Sequence, residues 1–293
     1  MKVELHCHTK VSDGSLSFEQ VLELAIQEQV RYLAITNHDT TVGLELMIHL
    51  GKERGVTVIP GIEISAFDFT RNRRVHILGY GIVPGHPALE QLCTPIVTRR
   101  HQASIEMVKR LQASGYQISW ERVEELAAGG TGVYKQHIMH ALIEQGYTDS
   151  IYGPLYKTLF SRGGSDRPTG IAYIPMEYVD AAQAIQAVRA AGGVAVLAHP
   201  CQYESFEAVP ELVKAGLQGI EVWHPLHGPE DERLGQQLAV KYGLVQTGGS
   251  DFHGSYGEVE VRIGSKSPTS DYFETLLAYI QNKVESRGDS IYL

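Results

Sequence analysis

A chain of 293 residues, 43% of them hydrophobic, carries 34 acidic against 25 basic side chains, a formal net charge of −9. That length and apolar share suffice for a full core, as one large domain or one domain carrying a smaller one. The acidic balance argues against a broad basic face that grips long nucleic acid through phosphate contacts alone. Cys7, Cys93 and Cys201 are too few for a disulfide scaffold, no apolar run nears the roughly 20 residues of a membrane span, and no basic-then-apolar leader opens the chain, so a reducing cytoplasm is expected.

In chain order, Val3, Leu5 and Cys7 alternate with Glu4, His6 and His8, the period-two pattern of a β-strand that puts His6 and His8 on one face. Asp13 lies just past it. Ser17 with Gln20 reads as a helix cap, followed by Val21, Leu22, Leu24, Ala25 and Ile26 at helical spacing. The apolar run 32–36 predicts a strand buried on both faces, running into Asn37-His38-Asp39. A helix over 44–54 leads to strands at 56–64 and 75–80. From 91 to 172 the pattern turns helical and polar, which predicts a small helical domain inserted into the larger one, with loops at 129–132 and 163–166. Alternation then resumes: helix 181–191, strand 194–198, helix 209–215, strand 219–223, helix 229–242, a strand from 244, a helix over 272–284 and the terminal Ile291-Tyr292-Leu293. Seven strands, most followed by a helix, predict an α/β protein built as a closed or nearly closed parallel barrel.

In such barrels functional groups gather at the C-terminal ends of strands. His6, His8, His38, Glu63, His76, His199, Asp251 and His253 each fall in or at the end of a predicted strand, and Asp13 follows one. A lone His on a strand is usually a packed, hydrogen-bonded side chain. Nine imidazoles and carboxylates brought to one rim would cost several kcal/mol to bury without a metal or a dense hydrogen-bond network. One tetrahedral or five-coordinate ion uses only three to five ligands, so nine fit two or three divalent ions, with Glu63 and Asp251 as bridges. Nitrogen and oxygen donors without thiolate suit manganese first, then zinc or iron, over calcium. Cys7 points away from the two histidines beside it and reads as a packing residue.

The stretches His6-Cys7-His8-Thr9 with Ser12-Asp13-Gly14, Thr36-Asn37-His38-Asp39-Thr40, Gly61-Ile62-Glu63, His76-Ile77-Leu78-Gly79, Ala198-His199-Pro200 and Gly248-Gly249-Ser250-Asp251-Phe252-His253-Gly254 resemble the ordered motifs of the PHP (polymerase and histidinol phosphatase) superfamily. The helical insertion resembles its branch of small bacterial phosphoesterases acting on nucleoside monophosphates, nucleoside 3',5'-bisphosphates and short RNA ends. The resemblance implies a distorted (β/α)7 barrel with three metals: one held by His6, His8, Glu63 and Asp251, a second by Glu63, His76 and His199, a third by Asp13, His38 and His253. Every position is filled by a competent ligand.

Metals about 3.5–4 Å apart hold a bridging hydroxide and the phosphate oxygens together, so the expected reaction is in-line attack of that hydroxide on phosphorus with no side-chain nucleophile. Asp13 and His38 would stand among the catalytic groups, and His224 or His227 would protonate the leaving oxygen. Arg99, Arg100, Lys135 and His137 are the candidate substrate-phosphate contacts from the insertion. His137 resembles the His of the family's Arg-Pro-His segment, while Lys135-Gln136 replace its Arg-Pro. Asp39 is placed to orient a ligand. The expected substrate is a small nucleotide or short oligoribonucleotide, with neither long DNA nor membrane as partner. Histidinol phosphate hydrolysis, an amidohydrolase-type deamination and a non-catalytic module docking on a polymerase are the competing readings. Metal identity, exact substrate and oligomeric state are not encoded legibly.

Overall fold

A computed structural model describes residues 1–165 and 167–287; Asp166 of the expected loop and the terminal Ile291-Tyr292-Leu293 lie outside the described residues. The elements in order are β1 (Lys2–Glu4), α1 (Phe18–Gln27), β2 (Val30–Ile35), α2 (Leu44–Glu53), β3 (Thr57–Asp68) and β4 (Arg73–Tyr80). Four helices follow without an intervening strand: α3 (Pro87–Ala113), α4 (Trp120–Leu126), α5 (Lys135–Glu144) and α6 (Pro154–Leu159). Then come β5 (Val179–Asp180), α7 (Ala181–Ala190), β6 (Val194–Leu197), α8 (Val209–Ala215), β7 (Gly219–Trp223), α9 (Pro229–Tyr242), β8 (Val245–Gly248) and α10 (Ser270–Arg287). The result is a mixed α/β fold around a central sheet of order β1-β2-β3-β4-β6-β7-β8, with β5 added to β3.

The expectation of an all-parallel sheet is corrected at one strand. β1, β2 and β3 run parallel, as do β6, β7 and β8, but β4 is antiparallel to both β3 and β6. The reason is connection length. β3 continues past Ile64 to Asp68, and only residues 69–72 separate it from β4, too few for a crossover but enough for a hairpin. Asn72, at φ 52°, makes the turn. β5, two residues long, is an eighth strand that no sequence pattern announces.

Ser17 caps α1 with its side chain, and Gln20 returns the bond to the Ser17 N–H, the reciprocal box that the Ser–Gln spacing predicts. The helices α1, α2, α7, α8 and α9 bury apolar stripes such as Val21, Leu22 and Ala25 or Ile185 and Val188 in the main core. Each buried Val, Leu or Ile side chain contributes about 1.5–3 kcal/mol. A second apolar cluster joins Val3, Leu5, Ala34, Ile59, Leu78, Val196 and Val245 of the sheet to Phe273, Leu276 and Ile280 of α10. A third belongs to the helices after β4: Met107, Val108, Leu111, Val123, Ile138, Leu142, Leu159 and Phe160. The long α3 serves two of these clusters, since Leu89 and Cys93 pack in the main core and Met107 to Leu111 in the third. Beyond the sheet ladder, the His8 N–H donates to the Phe252 carbonyl at 2.9 Å, joining the segment after β1 to the segment after β8. No helix among the described residues is long and apolar enough to cross a membrane.

Candidate metal centre

Strand ends and the loops just after them deliver the polar side chains to one place. His6 and His8 follow β1 in extended chain, with ring centroids 5.3 Å apart on the same side. His38 follows β2 and forms an isolated bridge to Glu63. Glu63 lies within β3, opposite Leu78 of β4, and His76 lies in β4. His199 follows β6, and Asp251 and His253 follow β8. Asp39, His199 and Asp251 hold φ of 54°, 23° and 51°. Such left-handed backbone costs about 1–3 kcal/mol in unfavourable cases and clusters where surrounding structure enforces a functional geometry. The chain after β8 also passes so close to His6 that a Cβ on Gly249 would stand 2.5 Å from the His6 nitrogen, which reserves that position for glycine.

Glu63 is the hub. Its Oε2 stands 3.1 Å from His6 Nε2, 3.0 Å from His8 Nε2 and 3.4 Å from His38 Nδ1. Its Oε1 stands 2.7 Å from His76 Nδ1 and 2.8 Å from His199 Nε2. Asp251 Oδ1 lies 3.2 Å from both His6 Nε2 and His8 Nε2. Asp13 curls back, its Oδ1 3.4 Å from His253 Nε2 and 3.5 Å from His8 Nδ1, its Oδ2 3.8 Å from His38 Nε2. The donor atoms of His6, His8, Glu63 and Asp251 fall within 4.8 Å of one another, as do those of His8, Asp13, His38 and His253, and those of His38, Glu63 and His76.

The residues present fit divalent ions. His6 Nδ1 faces Glu221 Oε1 at 3.0 Å and His253 Nδ1 faces the Asp251 carbonyl at 2.8 Å. Acceptors on both Nδ1 atoms fix the protons there and turn the Nε2 lone pairs toward Glu63, Asp251 and Asp13. A lone pair against a carboxylate oxygen is repulsive unless a proton or a cation lies between them. Both ring nitrogens of His8, Asp13 Oδ1, His38 Nδ1, His199 Nδ1 and Asp251 Oδ1 are buried and lack a hydrogen-bond partner. Unpaired buried polar atoms cost about 1–3 kcal/mol each, and a divalent ion would satisfy these together. The donor chemistry, imidazole with carboxylate, suits divalent transition metals.

Electrostatics agree. Burial pushes the carboxyls of Glu63, Asp13 and Asp251 up, yet the facing histidines overcome it and hold all three well below the usual range. Burial lowers the His253 imidazole, but Asp13 and Asp251 outweigh it and raise its pKa to about 9. A divalent cation competes with that proton for the same nitrogen, so ion uptake releases protons. Apparent affinity for divalent ions should therefore strengthen as pH climbs from 7 toward 9; isothermal titration in buffers of different ionisation enthalpy measures both the affinity and the protons released.

The remaining sequence-predicted residues divide. His224 lines the cavity above the cluster, accepts the Leu226 N–H on Nδ1 and so carries its proton on Nε2, 3.4 Å from Asp251 Oδ2. Lys135 lines the same cavity, its Nζ 4.9 Å from the centre of the Phe160 ring. Arg100 reaches the wall but is bound to Asp39 Oδ2 at 2.6 Å and Ser65 Oγ at 3.1 Å. Asp39 consequently holds Arg100 and the Ser65 N–H rather than a histidine. Three residues are not brought to the cavity. Arg99 points outward to Glu177. His137 accepts the Tyr134 N–H as part of the start of α5. Both nitrogens of His227 are taken by backbone, Nδ1 donating to the Val222 carbonyl and Nε2 accepting from the Cys201 N–H.

Two carboxylates escape the sequence reading. Glu221, fully buried, holds His6 through one oxygen and accepts the His199 N–H at 2.8 Å through the other. Glu4, also fully buried, accepts the N–H groups of His6, Ser250 and Gly264, fixing the loop that carries Asp251. The available signal was a lone charge inside an otherwise apolar strand.

Comparisons with known proteins agree with this geometry. The PHP domain profile matches residues 4–160. A phosphoribosyl 1,2-cyclic phosphate 1,2-diphosphodiesterase of Eggerthella lenta is 48% identical over 265 residues, 90% of this chain and 98% of that protein. The 5'-3' exoribonuclease Rnm of Salmonella typhimurium is 33% identical over 257 residues, 85% of this chain and 84% of that one. A solved structure from Bifidobacterium adolescentis, described as a metal-dependent phosphoesterase, superposes with a TM-score of 0.82 at 27% identity, covering 94% of this chain and 95% of its own. Fold, cluster and relatives together define a hydrolase of phosphoric ester bonds. The chain belongs to the PHP domain family.

Proposed function

We propose that the protein is a metal-dependent phosphoesterase acting on a small phosphorylated ribose, opening a cyclic phosphodiester and then releasing the phosphate from the monoester that results. The observation that carries this reading is the ligand cluster at the floor of a cavity of about 340 Å³, a volume for a sugar phosphate or mononucleotide rather than a polymer. The 48% likeness to a diphosphodiesterase of a phosphoribosyl cyclic phosphate supports that substrate class over the bare nucleotide. In this reading the sheet closes as a distorted barrel through the His8–Phe252 bond, and α3 to α6 form an insertion over its mouth.

His6, His8, Glu63 and Asp251 would hold one ion, Glu63, His76 and His199 a second, and Asp13, His38 and His253 a third, manganese being the first candidate. When bound, such ions supply a water of lowered pKa and neutralise charge on the phosphoryl oxygens. The chain's own residues do the rest. Glu221 and the Asp251 carbonyl fix which nitrogen of His6 and His253 is free. His224, its Nδ1 taken by the Leu226 N–H, presents Nε2–H at the cavity wall and would hydrogen-bond the leaving oxygen, which takes its proton from water. Lys135 and Arg74 face the same cavity, and the Arg74 guanidinium lies over the Tyr178 ring at 5.5 Å. Two cations without carboxylate partners in a chain of net charge −9 suit a second phosphate on the substrate.

Burial lowers the Lys135 pKa, with Arg74 and Arg100 adding to it, to about 8. Its charge is largely present at pH 7 and fades above 8. KM for a doubly phosphorylated substrate should rise through that range while kcat changes little. Lys135→Arg should abolish the rise, and Lys135→Met should raise KM about tenfold or more at pH 7, the loss of one charge-assisted pair.

The test of function is phosphorus NMR with manganese-loaded protein and a phosphorylated ribose 1,2-cyclic phosphate. The cyclic resonance should give way to a monoester and then to inorganic phosphate, with one labelled water oxygen entering at each cleavage. Turnover of 5'-phosphorylated short RNA, with the cyclic diester left intact, would favour an RNA substrate of the kind that the exoribonuclease relative is named for.

A further inference from the structure

Among the described residues, one side chain from the helices after β4 reaches into the ligand cluster directly. Gln136, in the first turn of α5 and buried, donates from Nε2 to Asp13 Oδ2 at 3.0 Å. Because an ionised carboxylate only accepts, the atom facing it must be the amide nitrogen, which settles the orientation of the amide. The second hydrogen of the same nitrogen goes to the Tyr152 hydroxyl, 2.9 Å away. Tyr152 itself lines the cavity.

Asp13 therefore has its two oxygens in different hands. Oδ2 is capped by an element 123 residues distant in sequence. Oδ1 is buried, has no hydrogen-bond partner, and stands 3.4 Å from His253 Nε2 and 3.5 Å from His8 Nδ1. The amide ties Oδ2, which still stands 3.8 Å from His38 Nε2, and leaves Oδ1 as the unpaired oxygen in the pocket that Asp13 shares with His8, His38 and His253. An uncapped carboxylate could rotate; a capped one holds its oxygens in fixed directions, with Oδ1 free.

We propose that Gln136 is a positioning residue, through which the inserted helices set the affinity of the Asp13–His38–His253 pocket for its ion. The inference rests on the metal-centre reading above. Its consequence is that seating of α5 and occupancy of that one pocket are linked, whereas the ion expected on Glu63, His76 and His199 has no ligand in contact with Gln136. Partners that hold ligands in place typically contribute ten- to a hundredfold in metal affinity.

Gln136→Met keeps length and volume and removes both donors. Manganese titrations followed by electron paramagnetic resonance, with metal content measured after dialysis, should be run on wild type, Gln136→Met and Asp13→Asn. The ion missing from Asp13→Asn defines the pocket. Gln136→Met should weaken that same ion ten- to a hundredfold, leave the ion of Glu63, His76 and His199 at wild-type affinity, and leave the melting temperature of the fully chelated protein unchanged. Unchanged affinity for that ion would overturn the proposal. So would equal weakening of every ion together with a lowered melting temperature, which would make Gln136 a packing residue. A wild type that takes up no ion at all would remove the metal-centre reading, and this inference with it.

Discussion

Replacement of Glu63 by Gln should lower kcat/KM by about 10³-fold or more while the protein stays folded. Both carboxylate oxygens are engaged, Oε2 with three imidazoles and Oε1 with two. An amide of the same size keeps one oxygen and puts N–H groups where the other faced ring nitrogens, so it cannot bridge. The ions that Glu63 would hold stabilise transition-state charge by several kcal/mol, and each 1.36 kcal/mol is tenfold in rate. Steady-state kinetics alongside metal content and circular dichroism check this. Wild-type kcat/KM in Glu63→Gln would remove Glu63 from the reaction.

Exhaustive chelation should have the second large effect, on activity and stability together. Hydrolysis should fall to background and return with manganese, zinc or iron, but poorly with calcium, which prefers oxygen ligands to a histidine-rich set. An ion present at a hundred times its dissociation constant stabilises the folded state by about 2.7 kcal/mol. At about 2–4 °C per kcal/mol for chains of this order, one ion lost corresponds to a fall in Tm of roughly 5–10 °C, and more for two or three. Calorimetry with and without chelator reads it directly. A Tm indifferent to chelator would mean that the cluster is satisfied without ions.

The parts of this molecule that could be read from its sequence are those written in local pattern. The run 194–198 is apolar throughout and the run 219–223 is apolar but for Glu221, because both faces of the sheet are covered, so strand, strand end and the residue just past it followed together. That logic found His199 as it found His38 and Asp251. The antiparallel β4 escaped because the apolar pattern of β3 weakens after Ile64, where Ser65 to Asp68 continue the strand into a hairpin closed by Asn72 rather than by a glycine. Partners distant in sequence escaped for a different reason. Nothing near Arg100 announces Asp39, nothing near His227 announces the Val222 carbonyl, and Gln136 meets Asp13 only because the helices after β4 fold back over the strand ends. Glu221 was legible in principle: a carboxylate in the middle of a five-residue buried strand requires a partner, and the partner is His6.

Anomalous diffraction at the manganese edge, from crystals soaked in the ion, tests the whole account most directly. It predicts a peak enclosed by His6, His8, Glu63 and Asp251, with further peaks against His76 and His199 and between Asp13, His38 and His253. Crystals that take up no manganese there, in protein that still hydrolyses phosphate esters, would contradict it.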